Sequence, residues 1–432
     1  MAEKSSHHKA KKHPTKTKGT GTSTVPVSTS NGTGPQFGQP TPSPDPTGFT
    51  VHHGSDTSLY SKVDPTLLEA IPDARGGATE PVLMLADVFG PTGASQIATI
   101  QQSGQIVFHS VGDTGSVKGP ATQSLVADKM VSDFDESDPA DVPAFFFHLG
   151  DVVYSFGEAK YYYDQFYEPY REYPAPIIAI PGNHDGVVYK GDSAPTLDAF
   201  LRNFCSATPT HTPEAAGLVR TAMIAPSVFF TLDAPFVRIL GVYSNVLEDP
   251  GVVSSEGNSS SPVDDRQLAF LTAALTRCKT EDYTGAVILA VHHPPYTYGT
   301  VHSGSPRMLQ DLDQCAQNAG FWPHAVFSGH SHNYQRFTRA QGTTQIPYII
   351  AGGGGHAITA IQAAANGSAI RTPLAVNSTL TFENYDDSDY GYLRVVVTAE
   401  TLRIEFHPAS DGTTAKTPND VVTVDLATRT VS

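Results

Sequence analysis

The stretch Ala144-Phe145-Phe146-Phe147-His148-Leu149-Gly150-Asp151-Val152-Val153-Tyr154 decides how the chain is read. Its first six residues form a short apolar, aromatic run, the pattern of a buried strand. The run stops on Gly150-Asp151, where a turn places a carboxylate just past the strand. The same arrangement recurs along the sequence. Ile106–Val111 runs into Gly112-Asp113, and Ile177–Ile180 into Pro181-Gly182-Asn183-His184. Val287–Val291 runs into His292, and Ala325–Phe327 into Ser328-Gly329-His330.

Between these runs, residues 122–134, 159–173, 194–204, 264–279 and 305–319 carry apolar residues at helical spacing. Asp264 and Asp265 suit the N-terminal end of the fourth of these helices. Strands alternating with helices predict an α/β layer architecture, in which ligands bind beyond the carboxyl ends of strands. The chain closes with a hairpin-like pair, 392–397 and 402–406.

Residues 1–78 read as a disordered tail and 79–432 as one domain. The first eighteen residues hold six lysines against Glu3, and a Ser/Thr/Pro/Gly-rich stretch follows. Such composition buries too little apolar area to offset chain entropy. A basic arm touching an anionic partner is the sharper reading of this segment, and His7 and His8 add only a stray metal site. Residues 80–105 leave room for a strand or two.

The 432-residue chain carries a net charge of −16, which argues against nucleic acid as a stable partner and against an anionic membrane surface. No apolar run reaches the length of a membrane span. The N-terminus has no apolar signal-peptide core, which leads to the expectation of a cytoplasmic protein. Three widely spaced cysteines, Cys205, Cys278 and Cys315, suggest neither a disulfide framework nor a thiolate zinc site, though one pair could form.

Taken singly, each polar cluster has a plain explanation as a turn or a surface loop. Taken together, the clusters offer carboxylate, phenolate, amide and imidazole donors without a thiolate. That inventory suits iron, manganese or zinc. Hydrolysis of a phosphate ester needs a hydroxide near neutral pH and positive charge on the attacking and leaving oxygens, and two adjacent ions provide both.

Five blocks stand in order: Asp113-Thr114-Gly115, Gly150-Asp151-Val152-Val153-Tyr154, Gly182-Asn183-His184-Asp185, a strand ending in His292, and Gly329-His330-Ser331-His332. This ordered set resembles the purple acid phosphatases within the calcineurin-like metallophosphoesterases, over roughly residues 100–410. The resemblance implies that Asp113, Tyr154 and His332 bind a first metal. Asn183, His292 and His330 would bind a second, with Asp151 bridging. Most of the superfamily has Asp-x-His in the first block. Gly115 stands there instead, and Tyr154 supplies a phenolate, a donor that favours ferric iron. The implied cofactor is Fe(III) paired with a divalent Fe, Zn or Mn ion.

The resemblance also implies that His184 contacts phosphate with Asp185 orienting it, and that His302 contacts substrate. His293 is expected behind the ligands or at the surface, and His109 and His148 in the core. Gly352–Gly355 reads equally as a turn or as backbone approaching the site. The implied fold is the four-layer β-sandwich flanked by helices, in its small single-domain form. The implied reaction is phosphomonoester hydrolysis by a metal-bound hydroxide, releasing inorganic phosphate. A phosphodiesterase or nucleotidase with the same metals is the alternative, and a non-catalytic binding module on this scaffold the third. Oligomeric state is not read from the sequence.

Overall fold

A computed structural model describes residues 34–39, 70–134, 137–188, 194–244, 249–255, 263–410 and 418–432. Two sheets face each other. Among the described residues one has six strands and the other nine. The six-stranded sheet contains β2 (Gln105–Val111), β3 (Pro143–His148) and β4 (Ile177–Ala179), paired in parallel. Antiparallel β13 (Gly391–Thr398), β14 (Thr401–Pro408) and β15 (Asp420–Asp425) extend it beyond β2.

The nine-stranded sheet is built around parallel β6 (Val237–Val242), β7 (Ala286–Val291) and β8 (Ala325–Ser328). β1 (Val82–Met84) and β5 (Phe230–Ala234) continue it on one side. β10 (Thr344–Ala351), β9 (Tyr334–Gln341), β12 (Leu380–Asp386) and β11 (Leu374–Ala375) continue it on the other. The sandwich and its helices match the expected fold class.

The central strands are buried on both faces, which explains their unbroken apolar runs. Phe147 of β3 meets Phe230 of β5 across the sandwich, with ring centroids 6.3 Å apart. Gly241 of β6 lies so near the opposite sheet that a Cβ there would sit 2.6 Å from Ile180 Cγ2. Phe147 is 1% exposed. Phe147→Ala is therefore expected to cost about 3–5 kcal/mol in a denaturant titration, the range for an emptied aromatic site in a close-packed core.

The helices form where their end signals agree with their apolar stripe. α7 (Pro306–Ala319) has Pro306 at its first position, and Ser305 Oγ accepts from Met308 N at 3.3 Å. Gly320 ends it in the left-handed conformation. α6 (Arg266–Thr280) packs beside α7. Asp265 precedes α6 but does not cap it: its Oδ1 accepts from Ser255 N and Oγ instead. α3 (Ala121–Val131) and α5 (Asp198–Phe204) match expected helices.

Three expectations change. Residues 159–173 form a 3-10 turn (Ala159–Tyr161) and a π-helical turn (Tyr163–Tyr167), not one regular helix. Tyr161, Tyr162, Tyr163, Phe166, Tyr167, Tyr170 and Tyr173 are all buried, so no polar face remains for an amphipathic helix. Residues 80–105 supply one short strand and two helices, α1 (Leu85–Phe89) and α2 (Gly93–Ser103). Two parts of the expected tail are bound to the domain. Gln36 exchanges hydrogen bonds with Thr221, and Gln39 N donates to Arg171 O at 2.8 Å. Arg75 donates to the carbonyls of Cys205, Ile224 and Ala225, and Ile71 is buried. The thiols of Cys205, Cys278 and Cys315 are all free. The basic arm, with His7 and His8, lies outside the described residues.

Candidate metal centre

The five predicted strand ends converge from both sheets. β2, β3 and β4 deliver Asp113, Asp151 and Asn183, while β7 and β8 deliver His292 and His330. Asp113, Asp151 and His330 adopt φ of 57°, 56° and 65°. Left-handed backbone at non-glycine residues costs on the order of 1–3 kcal/mol and concentrates at functional sites. Here it bends each chain sharply past its strand, so that the side chain turns into the cleft.

Asp151 lies at the centre. Its Oδ2 is 3.0 Å from Tyr154 Oη and 3.3 Å from His292 Nε2. Tyr154 Oη is also 3.1 Å from Asp113 Oδ1 and 3.4 Å from His332 Nε2. His292 Nε2 is 3.1 Å from Asn183 Oδ1. His330 Nε2 has no hydrogen-bond partner, and its backbone N–H donates to Asp113 Oδ2 at 2.8 Å. All seven predicted ligands are buried, so the whole expected set is brought together.

The lone pairs outnumber the protons, which is the test of whether these residues fit a cation. His292 Nδ1 donates to Leu149 O at 2.8 Å, so its Nε2 carries the lone pair in the neutral ring. That nitrogen faces Asn183 Oδ1 and Asp151 Oδ2, two further acceptors. A cation satisfies all three at once. Without one a second proton must, and although burial opposes charging His292, Asp151 and Asp113 raise its pKa to about 9. Around Tyr154 a single phenolic proton is shared among two carboxylates and an imidazole. Burial, with Asp113 and Asp151 alongside, pushes the phenol well above its usual range, so ionisation there calls for a compensating cation.

The surroundings fix these groups. Gln165, on the π-helical turn, accepts from Tyr154 N and donates to Tyr154 O, both at 2.9 Å. A Cβ on Gly115 would lie 2.4 Å from Gln165 Oε1 and 2.5 Å from Val152 O, so no side chain fits where most of the superfamily is expected to carry its histidine. A Cβ on Gly182 would meet Asp151 Oδ1 at 2.1 Å.

His184 and His302 both reach the cleft. His184 Nδ1 donates to Ser155 O at 2.8 Å, and its Nε2 is 3.9 Å from Asp151 Oδ2. The His302 ring lies 4.0 Å from His330 and 5.3 Å from His332. The expected role of Asp185 is corrected. Its carboxylate accepts from Val152 N, Val153 N and Gly182 N, so it ties two ligand loops together, and the Ser155 carbonyl orients His184. Side chains on consecutive residues diverge, so Asp185 turns to the backbone while His184 turns to the cleft. His293 stands behind the ligands, with Nδ1 2.8 Å from Ser244 Oγ and its ring 4.0 Å from His330. His148 and His109 are buried and hydrogen-bonded, as expected. Burial carries the His148 pKa down to about 3.

Two neighbours went unpredicted. His356 follows Gly352–Gly355, and its ring stacks on Tyr154 with centroids 3.6 Å apart. Its N–H donates to Asp113 O and its Nδ1 to Gly115 O at 2.8 Å. The glycine run after β10 was the available signal. Asp249 approaches His302 and His330 from the loop after β6. Its Asp-Pro-Gly context reads as an ordinary turn, and nothing in the sequence marked it.

The calcineurin-like phosphoesterase family model matches residues 111–334. No curated protein sequence matches significantly. Among solved structures, purple acid phosphatase PPD1 from yellow lupin (Lupinus luteus) seeds shares 16% identity over 74% of this chain and 54% of its own, with a TM-score of 0.48. The chain thus spans about half the length of the lupin chain. GAP50, the anchor in the inner membrane complex of Plasmodium, shares 14% identity over 73% of this chain and 87% of its own, with a TM-score of 0.48. PhoD shares 13% over 76% and 71%, with a TM-score of 0.44. The family match covers more than half of the sequence and spans all five of these strand ends: the chain belongs to the calcineurin-like phosphoesterases.

Proposed function

We propose that this protein hydrolyses phosphomonoesters with two metal ions, one held by Asp113, Tyr154 and His332, the other by Asn183, His292 and His330, with Asp151 between them. The observation that carries this reading is the position of Asp151 Oδ2, 3.0 Å from Tyr154 Oη on one side and 3.3 Å from His292 Nε2 on the other. One oxygen adjoins a donor from each half of the site. When bound, the ions would supply a hydroxide nucleophile near neutral pH and positive charge for the phosphoryl oxygens.

The chain's own groups do the rest. Tyr154, held by Gln165 and stacked on His356, would offer a phenolate oxygen to the first ion. The closed space at Gly115 supports the purple acid phosphatase branch and Fe(III) at this position, because a phenolate is the hard donor offered there. His184 and His302 reach the cleft from different loops. Each can hold a phosphate oxygen or give a proton to a departing alkoxide.

The preference for monoesters is tested with an aryl phosphate and a bis-aryl phosphate at equal concentration. The expected result is faster turnover of the monoester. Faster turnover of the diester would move the assignment to the phosphodiesterase reading with the same ligands. No turnover of either by protein carrying both ions would favour the binding module.

A further inference from the structure

Beside the seven ligands stands a second set of donors that the two-ion reading does not use. Asp249 Oδ1 is 3.5 Å from His330 Nε2, and Asp249 Oδ2 is 3.6 Å from His302 Nδ1. Among the described residues, neither imidazole nitrogen has a hydrogen-bond partner. His330 is 1% exposed and His302 7%, so both are orphans in a buried setting. Ser303 fixes the carboxylate from the remaining direction, its N and Oγ donating to Asp249 Oδ1 at 3.3 and 3.2 Å.

The spacing separates two explanations. A charge-assisted hydrogen bond would close these gaps to about 2.7–2.9 Å. Donors sharing a tetrahedral ion at about 2.0–2.1 Å stand about 3.3–3.4 Å apart. The observed 3.5 and 3.6 Å are too long for the first and lie slightly beyond the second, and one donor atom from each residue lies within 4.8 Å of the others.

We infer that Asp249, His302 and His330 form a further divalent-cation site adjoining the proposed binuclear centre. Two imidazoles and a carboxylate suit Zn2+ or Mn2+. The Asp249 side chain is 28% exposed, which leaves an entry path and room for water as the fourth ligand. His330 is the shared residue. Its Nε2 faces Asp249, and the residue also belongs to the group it forms with Asp151 and His292. An ion arriving at Nε2 displaces the proton that a singly ligated imidazole keeps there, and that proton leaves to solvent. His302 binds through Nδ1 and keeps Nε2 for the cleft, so the ion would also fix the ring that faces substrate.

This site goes beyond the two-ion reading and does not require it. The test uses the full chain carrying His7→Ala, His8→Ala, His13→Ala, His52→Ala and His53→Ala, so that the histidines of residues 1–78 add no equivalents. Protein stripped with chelator is saturated with Zn2+, desalted and assayed for bound zinc. The expected result is the loss of one equivalent in Asp249→Asn, the same loss in His302→Asn, and retention of that equivalent in Asp151→Asn. Wild-type zinc content in both Asp249→Asn and His302→Asn would overturn the inference while leaving the binuclear reading intact. Wild-type content in Asp151→Asn, with one equivalent lost in the other two, would support this site and refute the binuclear one.

Discussion

Asp151→Asn is expected to bind neither ion of the proposed pair and to lose phosphatase turnover by at least about a thousandfold. Even partners outside the ligand shell change affinity or activity by about 10–100-fold, and Asp151 is placed inside it. Its Oδ2 adjoins donors of both halves of the site, and the substitution removes the charge that both would share. The fold should survive. Asparagine keeps an oxygen to accept from His184 N, the bond Asp151 Oδ1 now accepts at 2.9 Å. Elemental analysis and near-ultraviolet circular dichroism on the same preparation check both halves of the expectation. A variant with full turnover and native metal content would sink the site assignment.

Tyr154→Phe is expected to abolish visible absorption from a phenolate-to-iron charge transfer and to weaken the first ion by at least about 100-fold, again above the effect of an outer partner. The ring itself should stay in place. It is stacked on His356, 4.1 Å from His184, and its backbone is held at both ends by Gln165. Only the oxygen between Asp113 and Asp151 is removed. A visible band that persists in the variant would mean that another residue is the chromophore. A colourless wild type containing zinc alone would reject ferric iron and leave the hydrolase assignment standing.

The strand ends were legible because burial and chemistry write the same pattern. A strand buried on both faces must be apolar throughout, so the first polar residue after it stands out. Asp113, Asp151, Asn183, His292 and His330 all occupy such positions. The helices at 266–280 and 306–319 were legible from periodicity. The segment 159–173 was not, because seven buried aromatics leave no polar face to reveal its pitch. The packing of Ile71 and Arg75 was hidden by a tail-like composition, since an ordered segment held mainly by its backbone and one guanidinium carries no apolar signature.

The sequence by itself determined the donor inventory and the five strand ends, because these depend on residue type and local order, and its resemblance to the family implied the exchange of a histidine for Gly115 and Tyr154. Only the tertiary structure decided what each neighbouring group touches. Asp185 stands next to His184 in the chain yet binds the backbone of two other loops. His356 lies 202 positions beyond Tyr154 and stacks on it, and Asp249 lies 81 positions before His330 and faces its Nε2. Contacts of this kind depend on how two sheets bring separate loops to one rim. Local sequence encodes each loop's chemistry but not its partner.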